Sequence, residues 1–251
     1  MKELNIPGTV TDYNGYKMYE FQVDGCICKI VEPADPLPGR QWIWKAEYFE
    51  AFPVFELEIL KRGYYFMFMH TEYGFGSPVV NAHWDKFYQF LTEELGFAKR
   101  MILFGLSVGG LYIYNWAVKN TEKVACLYAD NPVCDFKSWP GGKGIGIGEQ
   151  ECWKKLFDFY GFKDEAEALA YKFNPVDNLK PLIDAGIPLI HAAATEDQVV
   201  PVTENTDVLE KNCLALGGKI TVIRHPGEHH PHHAVDDLNG LIELIIDSAI
   251  R

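Results

Sequence analysis

The stretch MILFGLSVGG, residues 101–110, constrains this chain more than any other. Met101 to Phe104 form an apolar run of strand length, and Gly105-Leu106-Ser107-Val108-Gly109 fits the pattern G-x-S-x-G. A serine on a sharp turn between a strand and a helix takes a strained backbone conformation. The residues two before and two after it must therefore lack colliding side chains, as Gly105 and Gly109 do. Such a turn lifts the Ser107 hydroxyl above the sheet and points the first free N–H groups of the next helix at a developing oxyanion, with Val108 N–H the natural first donor. Three fixed positions are a weak signal by themselves. Here a strand precedes them and an amphipathic pattern follows (Leu111, Tyr112, Tyr114, Trp116, Ala117), which is the required order.

Around this element the chain alternates. Residues 18–23 and 26–31 read as two strands joined by Asp24-Gly25, a preferred two-residue hairpin turn, with a further turn signal at Asp12 to Tyr16. Residues 41–45 read as a third short strand, 48–62 as a helix stopped by Gly63, 64–69 as an apolar strand, and 79–95 as a longer helix stopped by Gly96. After the serine the pattern predicts a helix to about residue 120 and a strand over 124–129. Strands over 187–193 and 219–223 and helices over 204–216 and 236–250 follow. Strands alternating with helices after an antiparallel opening predict a mostly parallel α/β sheet covered on both faces. The 251 residues fit a single domain over 1–251, and the glycine-rich, weakly periodic stretch of about 135–180 reads as an insertion forming a lid or pocket wall. The run Gly141-Gly142-Lys143-Gly144-Ile145-Gly146-Ile147-Gly148 lacks the Ser or Thr after lysine that a P-loop needs, and reads as a mobile loop.

A net charge of −12 argues against nucleic acid or an anionic membrane surface as a partner, and no run approaches the length needed to span a bilayer. A neutral or cationic small molecule is easier to accommodate as partner, with oligomeric state left open. The amino-terminal residues carry no long apolar segment, so the chain reads as cytoplasmic unless a leader has been removed. The six cysteines, at 26, 28, 126, 134, 152 and 213, lie scattered in apolar segments and read as reduced core thiols.

A serine hydroxyl needs a base, and the base needs an acid to fix its tautomer. In a strand–elbow–helix fold the chain order is serine, acid, histidine. Asp197 follows the strand over 187–193, and Asp130, after the preceding strand, is the rival acid; His225, His229, His230, His232 and His233 follow the last strand. These imidazoles could also serve a metal, but only Glu228, Asp236 and Asp237 accompany them, so no metal or other cofactor is expected.

The elbow, the acid loop Asp197-Gln198-Val199-Val200-Pro201 and the histidine loop beginning Pro226-Gly227-Glu228-His229-His230-Pro231-His232 together resemble the α/β-hydrolase superfamily, over nearly the whole length. The nearer likeness is to bacterial serine hydrolases of the prolyl-oligopeptidase and carboxylesterase type. The resemblance implies an α/β-hydrolase fold with a mostly parallel central sheet, an antiparallel start, helices on both faces and a lid-like insertion. It also implies a Ser107, Asp197, His229 triad. That branch carries a second glycine before its first histidine and this chain is one residue shorter there, so His230 and then His232 stand as alternative bases.

The second oxyanion donor is expected from the loop after the third strand, with Trp44 N–H as the choice. Trp42 and Trp139 are candidate pocket walls that would stack on a sugar or an aryl acyl group, whereas Trp84 and Trp116, on helices, read as core. The expected chemistry is hydrolysis of a carboxylic ester through an acyl-enzyme, the ester being carbohydrate-linked or aromatic. The alternatives are a peptidase of the prolyl-oligopeptidase type, a metal-dependent hydrolase, and a non-catalytic binding module of the same fold.

Overall fold

The computed structural model describes residues 4–227 and 235–250. Its centre is a sheet of nine described strands, β1 (Thr9–Tyr13), β2 (Tyr16–Val23), β3 (Cys26–Glu32), β4 (Trp42–Ala46), β5 (Tyr65–Met69), β6 (Met101–Leu106), β7 (Val124–Asp130), β8 (Leu189–Ala194) and β9 (Thr221–His225). Their spatial order is β1-β2-β3-β5-β4-β6-β7-β8-β9. The first three strands and β5 pair antiparallel, and every pairing from β5 onward is parallel. The opening strands are joined by Asn14-Gly15 and Asp24-Gly25, and all four of these residues have φ between 52° and 87°. Two successive positive φ values give a turn whose twist matches that of the strands it joins.

The described residues form eight helices: α1 (Val54–Lys61), α2 (Pro78–Gln89), α3 (Gly109–Ala117), α4 (Gln150–Tyr160), α5 (Glu165–Ala170), α6 (Lys180–Asp184), α7 (Thr206–Ala215) and α8 (Leu238–Ala249). α2 is prolonged by a wider turn over Phe90–Glu94. Side chains alternate across each strand, so β4 sends Trp42 and Trp44 to one face and Ile43 and Lys45 to the other. On the first face Trp44 stacks on Trp84 of α2 at 4.1 Å and meets Trp116 of α3 edge-on at 5.6 Å, so both helix tryptophans are core. On the second face Phe55, Ile59 and Leu60 of α1 and Leu241, Ile242 and Ile245 of α8 cover Ile43, Phe66, Ile102 and Ile190. All six cysteines are free thiols. Among the described residues no helix is long and apolar enough to cross a membrane.

One expected helix is shorter than its pattern. The stretch 48–62 predicts a helix from Tyr48, yet Glu47, Tyr48 and Phe52 have φ of 51° to 56°, and α1 starts only after Pro53. The intervening loop is held by a charge on the second face. Lys45, fully buried, donates to the Ala51 carbonyl at 2.9 Å and pairs with the equally buried Glu56 of α1. An ammonium inside the core survives only with its hydrogen-bond partners in place.

Lys45→Met should therefore destabilise the fold by about 3–5 kcal/mol in urea unfolding, because Glu56 is left buried without its cation, and Lys45→Met with Glu56→Leu should recover most of that loss. A double variant as unstable as the single one would contradict this account.

Candidate active site

Ser107 sits between β6 and α3 with φ of 53°, a left-handed conformation that a non-glycine residue adopts only when its surroundings enforce it. The neighbours enforce it here. Ser107 N–H donates to the Asp130 carbonyl at the end of β7 at 2.9 Å, and its own carbonyl accepts from Gly110 and Val133 N–H. A Cβ on Gly105 would lie 2.6 Å from the Gly109 carbonyl oxygen, and one on Gly109 would lie 2.8 Å from that of Ala46. Both glycines of the motif are thus required by close backbone approach, and the second brings the end of β4 against the elbow. Val108 is the residue before α3, ahead of the first intrahelical bond, where a helix leaves N–H groups for a ligand.

β6, β7, β8 and β9 lie side by side and parallel, so their carboxyl ends place Ser107, Asp130, Asp197 and the root of the histidine loop along one rim. Asp197 is buried, and its Oδ1 accepts from Val199 and Val200 N–H at 2.9 and 2.8 Å. The acid loop is tied to its neighbours on both sides. Thr195 and Glu196 N–H donate to the carbonyls of His225 and Gly227, and Asn131 donates to Ala192 while its side chain accepts from Ala194 N–H at 2.6 Å. His229, His230 and His232 lie outside the described residues; the chain on their two sides is at Gly227, beside Glu196, and at Val235, which lines a cavity of about 140 Å³ with Phe55, Tyr128 and Asp130. Burial pushes the Asp130 carboxyl up to about 7, against the weaker opposite effect of the Tyr128 hydroxyl. His191 belongs to the core instead: its ring bonds Tyr114 and Thr206, and burial pushes it down to about 3. Among the described residues no group of three or more His, Cys, Asp or Glu is placed to hold a metal ion.

Two expected site residues belong elsewhere. Trp44 lies within β4, paired to Met67 on one side and Leu103 on the other, so its backbone serves the sheet rather than the rim. Trp42 lies at the opposite end of that strand, its indole N–H bonded to the Ala98 carbonyl and its ring against Phe97. The residue that the loop after β4 brings to the serine is Tyr48, whose hydroxyl interacts with Ser107 and with Tyr73. Burial pushes the Tyr48 phenol up, and both hydroxyl contacts oppose that shift. The sequence hid Tyr48 inside an apparent helix.

Beyond Tyr73 the rings continue. Tyr73 packs edge-on to Phe75 at 5.3 Å and to Trp139 at 6.4 Å, so the candidate wall Trp139 joins the serine side through Tyr73. The loop 70–77 that carries these rings is fastened to the insertion, for Lys155 and Tyr160 of α4 donate to the Glu72 and Phe75 carbonyls at 2.7 and 2.9 Å. The glycine run, expected to be mobile, is pinned as well. Glu204 accepts from Ser138 at 2.7 Å and from Ile145 N–H, and Ile147 N–H donates to Gln198 beside the acid.

No protein-family model and no curated protein matches the sequence. Solved structures do match in shape. A puromycin-hydrolyzing peptidase of Mycobacterium tuberculosis superposes with a TM-score of 0.72 at 12% identity, over 93% of this chain and 39% of its own. The acylaminoacyl peptidase of Pyrococcus horikoshii gives 0.66 at 16% identity, over 93% of this chain and 43% of its own. A Pyrococcus furiosus esterase gives 0.60 at 13% identity, over 98% of this chain and 97% of its own. The chain thus spans 35–44% of the length of the peptidases it resembles and nearly all of the esterase. Sheet order, a serine elbow at the end of a central parallel strand and these likenesses together show that this chain has the α/β-hydrolase fold.

Proposed function

We propose that this chain is a serine hydrolase that cleaves a carboxylic ester through an acyl-enzyme. The observation that carries the reading is Ser107, held at a positive φ that only its packing enforces, with the Tyr48 hydroxyl beside it. Strain of this kind costs about 1–3 kcal/mol and persists where a reacting group must be presented in one orientation.

In the proposed cycle Ser107 attacks the ester carbonyl while a histidine of the loop after β9 takes its proton. His229 is the first choice, with His230 and His232 as alternatives. Asp197 orients that imidazole. The tetrahedral oxyanion is stabilised by Val108 N–H and, in place of Trp44, by the Tyr48 hydroxyl. The imidazolium then protonates the leaving alcohol, and water, activated by the same base, releases the acid. Asp130 is the weaker candidate for the acid. A carboxyl pushed up to about 7 is half protonated at neutral pH, whereas the orienting group must be an anion. Tyr73 and Trp139, backed by the fully buried Phe75, form an aromatic wall suited to a flat or apolar acyl group. The peptidases that share the fold favour amide cleavage as the second reading.

Intact-mass measurement after treatment with a fluorophosphonate should show one adduct on the wild type and none on Ser107→Ala, whose esterase kcat should fall by at least about a thousandfold. No adduct on folded wild type would favour a binding module. Hydrolysis of p-nitrophenyl acetate with little turnover of an aminoacyl p-nitroanilide is expected, and the reverse preference would select the peptidase reading.

Asp197→Asn should lower kcat by about a hundred- to ten-thousandfold, whereas Asp130→Asn should stay within about tenfold of wild type. The opposite ranking would move the acid to β7. The Asp130 carboxyl has a second, separable signature. Its proton is bound more tightly folded than unfolded, so it lowers stability as pH rises from about 4 to about 7, and Asp130→Asn should flatten that part of the stability profile.

A further inference from the structure

The two tyrosines beside the serine are built as a pair. Tyr48 and Tyr73 both have positive φ, 51° and 59°, on separate loops, and their hydroxyl oxygens stand 2.5 Å apart with the rings edge-on at 5.9 Å. Each loop is independently braced. The Tyr48 loop is held by Lys45 at the Ala51 carbonyl, and the Tyr73 loop by Lys155, Tyr160 and the Asn115 amide, which donates to Gly76. Tyr112 of α3 lies between the two, since its hydroxyl accepts from Phe75 N–H on one loop and interacts electrostatically with the Glu47 carboxyl on the other. Two bulky residues in a costly backbone conformation, facing each other from braced loops, are an arrangement that packing alone does not require.

We propose that Tyr73 is a positioning residue for the oxyanion site: its hydroxyl donates to the Tyr48 oxygen, which leaves the Tyr48 proton directed at the developing oxyanion. A hydroxyl has one proton to give and two lone pairs to fill. With Tyr73 as its donor, Tyr48 can direct its own proton to the substrate oxygen, and the accepted bond polarises its O–H and makes it a stronger donor. Burial pushes both phenols up, so both remain protonated donors at neutral pH. Tyr73 touches no reacting atom in this scheme and acts through Tyr48. The proposal rests on the acyl-transfer reading of Ser107.

The test is a double-variant cycle on p-nitrophenyl acetate, with a trifluoromethyl ketone as transition-state analogue and fluorophosphonate labelling beside it. Tyr48→Phe should lower kcat by roughly a hundredfold or more, as loss of an oxyanion donor does. Tyr73→Phe, which keeps the ring, should lower kcat about tenfold with KM within about twofold, and should weaken the ketone by the same factor as kcat/KM. The double variant should match Tyr48→Phe, because Tyr73 has nothing to orient once the Tyr48 hydroxyl is gone. Thermal melts within a few degrees of wild type would assign the losses to the site rather than to folding. If Tyr73→Phe stays within twofold of wild type, or if the two losses multiply in the double variant, the relay is overturned while Ser107 labelling stands. A folded wild type that takes no fluorophosphonate adduct overturns the acyl-transfer reading and the relay with it.

Discussion

A buried ammonium in the core organises the side of this fold that carries Ser107. Lys45 points from the central strand β4 into an aromatic interior, where a bare charge would be prohibitively costly. Its partners, the Ala51 carbonyl and Glu56, are the middle of a loop and the first turn of the helix after it. Satisfying the charge therefore dictates the path of residues 47–53, and that path delivers Tyr48 to the serine. An apolar residue at position 45 would fill the space with no preference for where the loop goes.

A second constraint acts from the other side. The elbow is so tightly enclosed that Gly105 and Gly109 have no room for a Cβ, and the obstacle at Gly109 is the backbone at the end of β4. The strand that bears Lys45 and the turn that bears Ser107 are thus locked against each other through main-chain atoms. The serine, Val108 and the Tyr48 loop are held together by the main chain of β4 and the elbow.

Much of this was legible in the sequence. The alternation of apolar strands and amphipathic helices placed most elements within a few residues, because one face or both of each is buried and the period shows it. The elbow was legible because glycine is the residue that close backbone approach demands. What escaped was non-periodic. Tyr48 lay in a stretch whose apolar spacing suits a helix, and only the contact between Lys45 and Ala51 turns that stretch into a loop with positive φ. Trp42 was misplaced because an indole reads alike in a pocket and in a core, and the Trp44 N–H because β4 runs on to Ala46 and keeps that backbone in the sheet. The glycine run misled in the other direction, since its looseness in sequence is cancelled by Glu204, which lies far along the chain.

The bonds from α4 to the loop 70–77 differ in kind from those around Lys45. Lys155 and Tyr160 reach the carbonyls of Glu72 and Phe75 rather than their side chains. A carbonyl is the same whatever residue carries it. The main chain of this loop therefore stays fastened to the insertion whichever side chains positions 72 and 75 carry. The fold thus separates how this loop is anchored from which side chains it carries, so its anchorage does not depend on its side-chain sequence.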